Sequence, residues 1–446
     1  DDRNRFFLSA YLGRDVFGYQ SYGMDWGNYT GTFRWNHLFS DRVFSNTSLI
    51  YSDFSYGFKL ASDTKYDSGI RDYGLKYDVS FFINPDNTLN TGLEAHFREF
   101  NPGALRSTNS DRSDIVMSPK QAFETALYIQ NKHTISPVFN AEYGIRLSAF
   151  RQSNKDKEED GYIIPEPRLS LNGRLGPTSS IKLSYNRLSQ YLHLLSNSTA
   201  GQVTDIWVPT SSVIKPLVAD QVAAGYFRNF SDDMLESSVE VYYKKLTNLT
   251  DFEDGTNILL NEDIEKQIIA GRGRSYGAEF YIKKKQGRFR GWVSYTLSRT
   301  EQSIDGINNG DWYPSKYDRT HDVSLVGSYD ISARISLSCV FVYSTGNAVT
   351  FPSGKYEING KFIPYYTERN GYRMPPYHRL DVNLKIKGKE SRRFKTSWDI
   401  SAYNVYNRYN AWSIYFRESE NNSGATEAVK LSLFGIVPSV AFNFNF

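Results

Sequence analysis

The sequence predicts an all-β chain, a large antiparallel transmembrane β-barrel, and three observations carry that expectation. The first is the stretch Leu433 to Phe446. Phe434, Ile436, Val440, Phe442, Phe444 and Phe446 fall on one parity there, and Gly435, Ser439, Ala441, Asn443 and Asn445 on the other. That is the period of a strand with one apolar and one polar face. Left at an edge in water, such a strand would template aggregation, so both edges need partners and the apolar face needs an apolar surrounding. The second is composition: aromatic residues make up 15% of the chain, yet mean hydropathy is −0.52 and 23% of residues are charged. A spanning strand turns only every second residue to lipid, so a barrel reconciles these values. The third is a regular exchange of short turns and long loops between alternating segments of roughly ten residues.

Composition also excludes several classes. At 446 residues a soluble chain would divide into two or three domains, whereas a barrel holds this length as one unit. No apolar run is long enough for a spanning helix. A net charge of +3 without a basic block argues against nucleic acid as a partner. Cys339 is the only cysteine, which removes internal disulfides and cysteine-built metal sites, and none of the 6 histidines has metal-ligand spacing. Asp1 begins without a signal segment, so the chain is expected to be processed or cut from something longer.

In chain order, RFFLSAYLGRDVF precedes a Gly/Tyr/Ser-rich loop, then YTGTFRWNHLF, a tight turn at Ser40 to Arg42, and VFSNTSLIYSDF. After another loop, GIRDYGLKYDVSFFI reverses at NPDN, Asn84 to Asn87, into TLNTGLEAHFREF. The turn carries the Pro, Asp and Asn that sharp reversals favour. In the strand that follows, Leu89, Leu93, Ala95 and Phe97 oppose Asn90, Glu94, His96 and Arg98. A charged face opposite an apolar one looks into water or a plug, because a packed core would not hold it. The pattern recurs at Phe139 to Ala149, with Glu142 and Arg146 on the polar parity, and at Leu235 to Lys244, with Glu236 and Glu240. SYGAEFYIKK adds Glu279, and GWVSYTLS, DVSLVGSYDI, ISLSCVFVYS, RLDVNLKIK and FKTSWDISAYNVY follow, for about 18 strands in all. The short turns NPDN, TISP, LGPTS, NFSDD, KKQGR, DISAR and GKESR are expected on the periplasmic side. The long connections 101–120, 196–218, 251–267, 301–317, 350–376 and 408–428 then face outside.

Five stretches carry a family resemblance. LSNSTAGQVTDIWVPTSSVIKP is similar to an outer loop of the TonB-dependent outer-membrane transporters, particularly the Bacteroidota type. EVYYKKLTNLTDFEDGTNILLNEDIE and GRGRSYGAEFYIKKKQGRFRGWVSYTLSRTEQ resemble their central hairpins. GDWYPSKYDRTHDVSLVGSYDIS resembles the signature opening a late strand, and NVYNRYNAW the Asn-x-x-Asn-x-x-Asn segment before the final loop. The resemblance is strongest from Leu195 to Phe446. It implies a barrel of about 22 strands with an N-terminal plug, energised through a periplasmic TonB box. This chain departs from that plan in lacking a plug, a TonB box and about four strands. Residues 1–446 are therefore expected to be the C-terminal barrel portion of a longer protein whose plug and first strands are absent from this sequence.

The resemblance implies a receptor, not an enzyme, in the outer membrane of a Gram-negative bacterium. It would bind a scarce solute with its extracellular loops and import it using TonB-derived energy. Implied partners are the lipid bilayer and lipopolysaccharide, the plug upstream in the same protein, the periplasmic TonB system and a surface lipoprotein. A passive 18-stranded porin and a structural barrel subunit of a larger outer-membrane assembly are the alternatives.

Aromatic faces with a few charged groups suit a sugar, peptide or chelate, which singles out Trp207, Asp311, Trp312, Tyr365, Tyr366, Arg369, Tyr372 and Trp412 in the long loops. The bland alternative is an aromatic girdle. Glu94, His96, Arg98, Glu142, Arg146, Glu236, Glu240 and Glu279 are expected to face the lumen or the plug. Asp318, Arg319, His321 and Asp322 are chemistry-capable but read better as a fold signature at a strand start. GRGRSYG lacks the strand–helix context of a phosphate cradle and fits close backbone approach instead. Asp251, Glu253, Asp254, Glu262, Asp263 and Glu265 supply oxygens for a loop-bound calcium without the spacing of a calcium loop; no other cofactor or metal is expected.

Overall fold

The computed structural model describes residues 2–19, 22–61, 64–107, 114–153, 161–196, 205–230, 232–253, 256, 264–358, 361–389, 394–419 and 424–445. The main sheet has 20 strands, two of which, Ile115–Val116 and Tyr313–Pro314, are two-residue additions. The other eighteen match the expected number. They are β1 (Asn4–Tyr19), β2 (Tyr22–Ser40), β3 (Val43–Ala61), β4 (Thr64–Asn84), β5 (Asn87–Ser107) and β6 (Lys120–Ser136). Next come β7 (Phe139–Ser153), β8 (Gly161–Gly176), β9 (Ser179–Gln190), β10 (Leu217–Phe230), β11 (Leu235–Phe252) and β12 (Ile268–Lys284). The last are β13 (Phe289–Ser303), β14 (His321–Asp330), β15 (Ile335–Ser344), β16 (Tyr377–Lys387), β17 (Lys395–Tyr403) and β18 (Val437–Asn445). Each pairs antiparallel with the next in sequence, an uninterrupted meander.

Side-chain exposure follows the predicted parity. On β11, Val239, Val241 and Tyr243 are exposed, while Glu240, Tyr242 and Lys244 between them are partly covered. On β18, Val440 and Phe442 lie opposite Ile400 and Trp398, on the outward face, and the Trp398 and Phe442 rings are 4.8 Å apart. Phe446 lies outside the described residues. Among the described residues β1 pairs with β2 alone and β18 with β17 alone, so each keeps one unpaired edge.

The tight turns fall where their chemistry places them. At NPDN, Asn84 Oδ1 accepts hydrogen bonds from the Asp86 amide (3.0 Å) and from Asn87 Nδ2 (3.1 Å), closing the reversal through a side chain. Before β11, Asp232 and Asp233 adopt φ of 52° and 64°, and before β13 Gly287 adopts 92°. Ser231 and residues 390–393, parts of two expected turns, lie outside the described residues.

Two expected outer loops are strand instead. β1 runs to Tyr19 and β2 starts at Tyr22; β3 runs to Ala61 and β4 starts at Thr64. β4 and β5 have 21 residues each, roughly 70 Å of strand at about 3.3 Å per residue. An apolar band of about 25 Å covers only part of that length, so the upper parts stand in water. Arg71 pairs there with Asp53 (3.1 Å) and Glu99 (3.4 Å) on the outward face. Without lipid the alternation is no longer enforced, yet the ladder continues.

Near the last strand, the Asn-x-x-Asn-x-x-Asn segment is a set of backbone caps. Asn404 (φ 54°) bonds the Arg408 amide and carbonyl, Asn407 Oδ1 accepts from the Ile436 amide (2.8 Å), and Asn410 bonds both backbone groups of His378. GRGRSYG is close-approach backbone, as expected: a Cβ on Gly271 would meet the Ser303 carbonyl oxygen at 2.3 Å.

Val241 is exposed on the outward face and Glu240 lies on the other. Val241→Arg should destabilise the assembled barrel by about 2–4 kcal/mol, and Glu240→Gln should not. Heat-modifiable electrophoretic migration after refolding into lipid measures both, and equal tolerance would refute the assigned parity.

Candidate functional site

Several outer connections pack on one another instead of standing separately in water. The connection after β9 forms a hairpin, Leu192–Ser196 with Asp205–Pro209, that lies on the lumen side and reaches β4 and β5. At its base the Tyr191 ring stacks on Phe150 (5.0 Å) and its hydroxyl meets Ser148 Oγ (2.8 Å). Phe100 and Ala122 complete this apolar seat. On the other flank Leu195, Val208 and Ile214 pack with Phe252, Ile264 and Ile268. The hairpin is thus held between two walls. Lys120 at the start of β6 is ion-paired with Glu265 beside the second cluster, tying the walls together.

His193 is buried inside the hairpin, with Nε2 3.1 Å from Thr210 Oγ1 and Nδ1 3.5 Å from Thr250 Oγ1. Burial lowers its pKa from 6.5 to about 4, so it is neutral at ordinary pH.

Arg369 joins three more connections. It is 5% exposed, and its guanidinium donates to Asp251 Oδ1 (2.8 Å) and the Phe252 carbonyl (3.1 Å) while lying over the Phe252 ring. Its amide and carbonyl both bond the Asn308 side chain (2.8 and 2.9 Å). Beside it, Asn370 donates to the Pro314 carbonyl (3.0 Å), and Arg373 pairs with buried Asp318, which accepts from the Thr300 amide (2.6 Å). Asp318 is therefore a fixing point at a strand start. His321 meets the Tyr295 hydroxyl at 2.9 Å, and Arg319 meets Ser344 Oγ at 3.2 Å.

Below the hairpin lies an open-sided cavity of ≈ 580 Å³. Phe54, Ile70, Leu192 and Trp207 supply its apolar surface, and Asp72, Arg98, Glu124, Ser189 and Gln190 its polar one. Asp72, Arg98 and Glu124 belong to a continuous lumen network. Arg98 pairs with Glu124 and with Asp72 (3.4 Å), and His96 lies 3.1 Å from Asp72 and 3.2 Å from Glu94. Arg146 donates to Glu94 (2.6 Å) and lies 3.8 Å from Glu166, which also accepts from Ser148 (2.8 Å).

The residues singled out by sequence scatter among these roles. Trp207 lines the cavity. Arg369 is committed to loop packing. Trp312 lies beneath the guanidinium of Arg274 (4.1 Å), which is held by Glu301 (2.8 Å). Asp311, Tyr365, Tyr366, Tyr372 and Trp412 are exposed on the outer surface, and Tyr372 lies 5.8 Å from the Phe351 ring. Among the lumen residues, Glu94, His96, Arg98 and Arg146 share one network, Glu142 accepts from Gln130, and Glu236 pairs with Lys285. Glu240 and Glu279 stand directly opposite one another on β11 and β12.

Of the proposed calcium ligands, Asp254, Glu262 and Asp263 lie outside the described residues. Asp251 and Glu265 are engaged by Arg369 and Lys120. Among the described residues no group of three or more acids, histidines or cysteines is placed to hold a metal ion. Asp72, Glu124, Tyr191 and His193 were not singled out beforehand; the polar parity of their strands was the available signal for Asp72 and Glu124.

Residues 1–407 match the family described as "TonB dependent receptor-like, beta-barrel". No curated protein matches the sequence. Among solved structures, the copper transporter OprC aligns with a TM-score of 0.69 at 12% identity, covering 100% of this chain and 69% of its own. The ferric preacinetobactin receptor BauA of Acinetobacter baumannii aligns at 0.64 and 12% identity, covering 100% and 70%. The ferric-catecholate import receptor Fiu of E. coli K12 aligns at 0.61 and 13%, covering 96% and 65%. The chain thus spans about two thirds of the length of the structures it matches. At these identities the likeness is one of fold.

Arg369→Ala takes the guanidinium away from Asp251 and from the Phe252 carbonyl, Asp251 keeping its uncharged donors, the Phe252 amide and Gln302, and should loosen the loops by about 3–5 kcal/mol. Faster hydrogen exchange across residues 301–320 and 350–376 would show it, whereas Arg290→Ala, in an exposed pair with Asp330, should leave exchange there unchanged. A second expectation concerns pH. An unfolded histidine takes up its proton near 6.5 and folded His193 only near 4, so the unfolded state binds more protons in between. Loop stability contributed by this residue is complete above about pH 6.5 and declines as pH falls towards 4. Exchange in residues 191–196 followed from pH 7 to 4 should show that decline in the native chain and not in His193→Gln.

Proposed function

Since the chain belongs to the TonB-dependent receptor-like β-barrel family of the Gram-negative outer membrane, we propose that it captures a scarce solute at its outer face and imports it with TonB-derived energy. The observation that carries this reading is the lumen-side hairpin with its cavity. A solute entering from outside meets the cavity of Phe54, Arg98, Glu124 and Trp207, and the flanking connections are locked together by the Arg369 and Asp318 contacts. Ordering these loops in advance removes an entropic cost from binding, which suits high-affinity capture better than the free diffusion of a porin. The names of the similar structures support import as the activity.

We place residues 1–446 as the C-terminal barrel portion of a Bacteroidota-type member. The plug and the first strands, upstream in the same protein, would complete a ring of about 22 strands. The unpaired edges of β1 and β18 support that placement. The plug would sit against lumen groups such as Glu94, Arg146, Glu240 and Glu279, and the TonB system would act on it from the periplasm. Lipopolysaccharide against the outward rim and a surface lipoprotein over the aromatic loops, where Tyr365 and Trp412 are exposed, complete the proposed partners.

The test uses the full-length protein in planar bilayers and in a pull-down with the periplasmic domain of TonB. A receptor should hold the bilayer closed and retain TonB. A steady pore conductance without TonB retention would establish the passive porin instead.

A further inference from the structure

The cavity beneath the hairpin specifies a chemical class of solute, a question that rests on the receptor reading above. Its charged lining comprises two carboxylates, Asp72 and Glu124, against one guanidinium, Arg98, a balance unfavourable to an anion. These charges are also engaged with one another. Arg98 bridges Glu124 and Asp72, and Asp72 has the further partner His96. A solute carrying its own full charge would have to compete with these pairs.

What the lining leaves open is a set of single hydrogen-bond positions. Among the described residues, Arg98 Nη2 and Trp207 Nε1 make no hydrogen bond as donors, nor do Glu124 Oε1 and Gln190 Oε1 as acceptors. Side chains that can donate and side chains that can accept thus line one space. Trp207, Phe54, Ile70 and Leu192 give that space apolar surfaces. A hydroxyl both donates and accepts, and the C–H face of a sugar ring packs on an aromatic face. From this juxtaposition we infer that the cavity between the Trp207 hairpin and the Asp72–Arg98–Glu124 wall binds a neutral, polyhydroxylated solute of oligosaccharide size. Its volume of ≈ 580 Å³ falls in the range of small-ligand sites.

Calorimetric titration of the full-length protein in detergent tests this, with neutral di- and trisaccharides, the tripeptide Gly-Gly-Gly and a ferric tris-catecholate as probes. At least one neutral saccharide should bind. Trp207→Ala and Glu124→Gln should each weaken it about tenfold or more, and Tyr356→Ala, on an outer hairpin away from the cavity, should not. Heat-modifiable migration checks that each variant is folded, and Glu124→Gln keeps the test open where Trp207→Ala fails to assemble. Silence across the neutral saccharides, or binding indifferent to both positions, overturns the inference. Trp207-dependent binding of the tripeptide or the catecholate overturns the solute class while leaving the receptor reading intact. An open pore in bilayers removes the receptor reading itself.

Discussion

In hydrocarbon no water is available to a peptide group, so every backbone N–H and C=O of a spanning segment needs a partner in the chain. The eighteen-strand meander meets that demand for β2 to β17 by pairing each with both sequence neighbours, and leaves one edge each of β1 and β18 to be met among the described residues. Once the ladder is fixed, side chains have two destinations. Those on one parity meet lipid and those on the other meet the lumen, and the run from Val239 to Lys244 shows both. Charges such as Glu94, His96, Arg98 and Arg146 are tolerated within the spanning wall only because the ladder turns them inward, where they pair along a strand and between strands.

The same constraint sets what could be read from the sequence. Strands and short turns were legible because lipid enforces a period of two and because turns such as NPDN need particular residue types. Legibility ended where water began. The upper parts of β1 to β4 are ladder without alternation, and their Gly, Tyr and Ser content looked like loop. The site was legible only in part. Trp207 stood out as an aromatic in a long connection, whereas Asp72 and Glu124 sit on the polar parity of ordinary wall strands. Arg369 read as a solute contact, but its carboxylate partner lies 118 residues earlier, and no local pattern reports such a pairing.

The loop packing also places polar groups where they are costly unless satisfied. Arg369 is covered on its faces by Phe252 and neighbouring backbone, so its attraction to Asp251 must offset the loss of hydration of both ions. Additional bonds to the Phe252 carbonyl and the Asn308 side chain supply that compensation. His193 adopts the other solution and is buried neutral between threonine hydroxyls. Both make the connections respond as one unit, because removing any member takes a bond from partners that stay covered. Such interdependence keeps a cavity shaped before its solute arrives.

Equal parity does not mean equal surface around the lumen. On β5 to β7 acids find bases one or two strands away and two residues along in register, as Arg98 on β5 finds Glu124 on β6 and Arg146 on β7 finds Glu94 on β5. That wall is neutralised, and it recognises a solute through the hydrogen-bond positions left over. On β11 and β12, Glu240 faces Glu279 directly, and among the described residues neither has an ion-pair partner. Like charges directly opposite weaken a ladder, so this pair persists only while hydration screens it. A single rule of alternation therefore produces a neutralised wall along β5 to β7 and, at Glu240 and Glu279, a like-charge pair that water screens. The difference lies in whether an arginine on a nearby strand reaches the carboxylate.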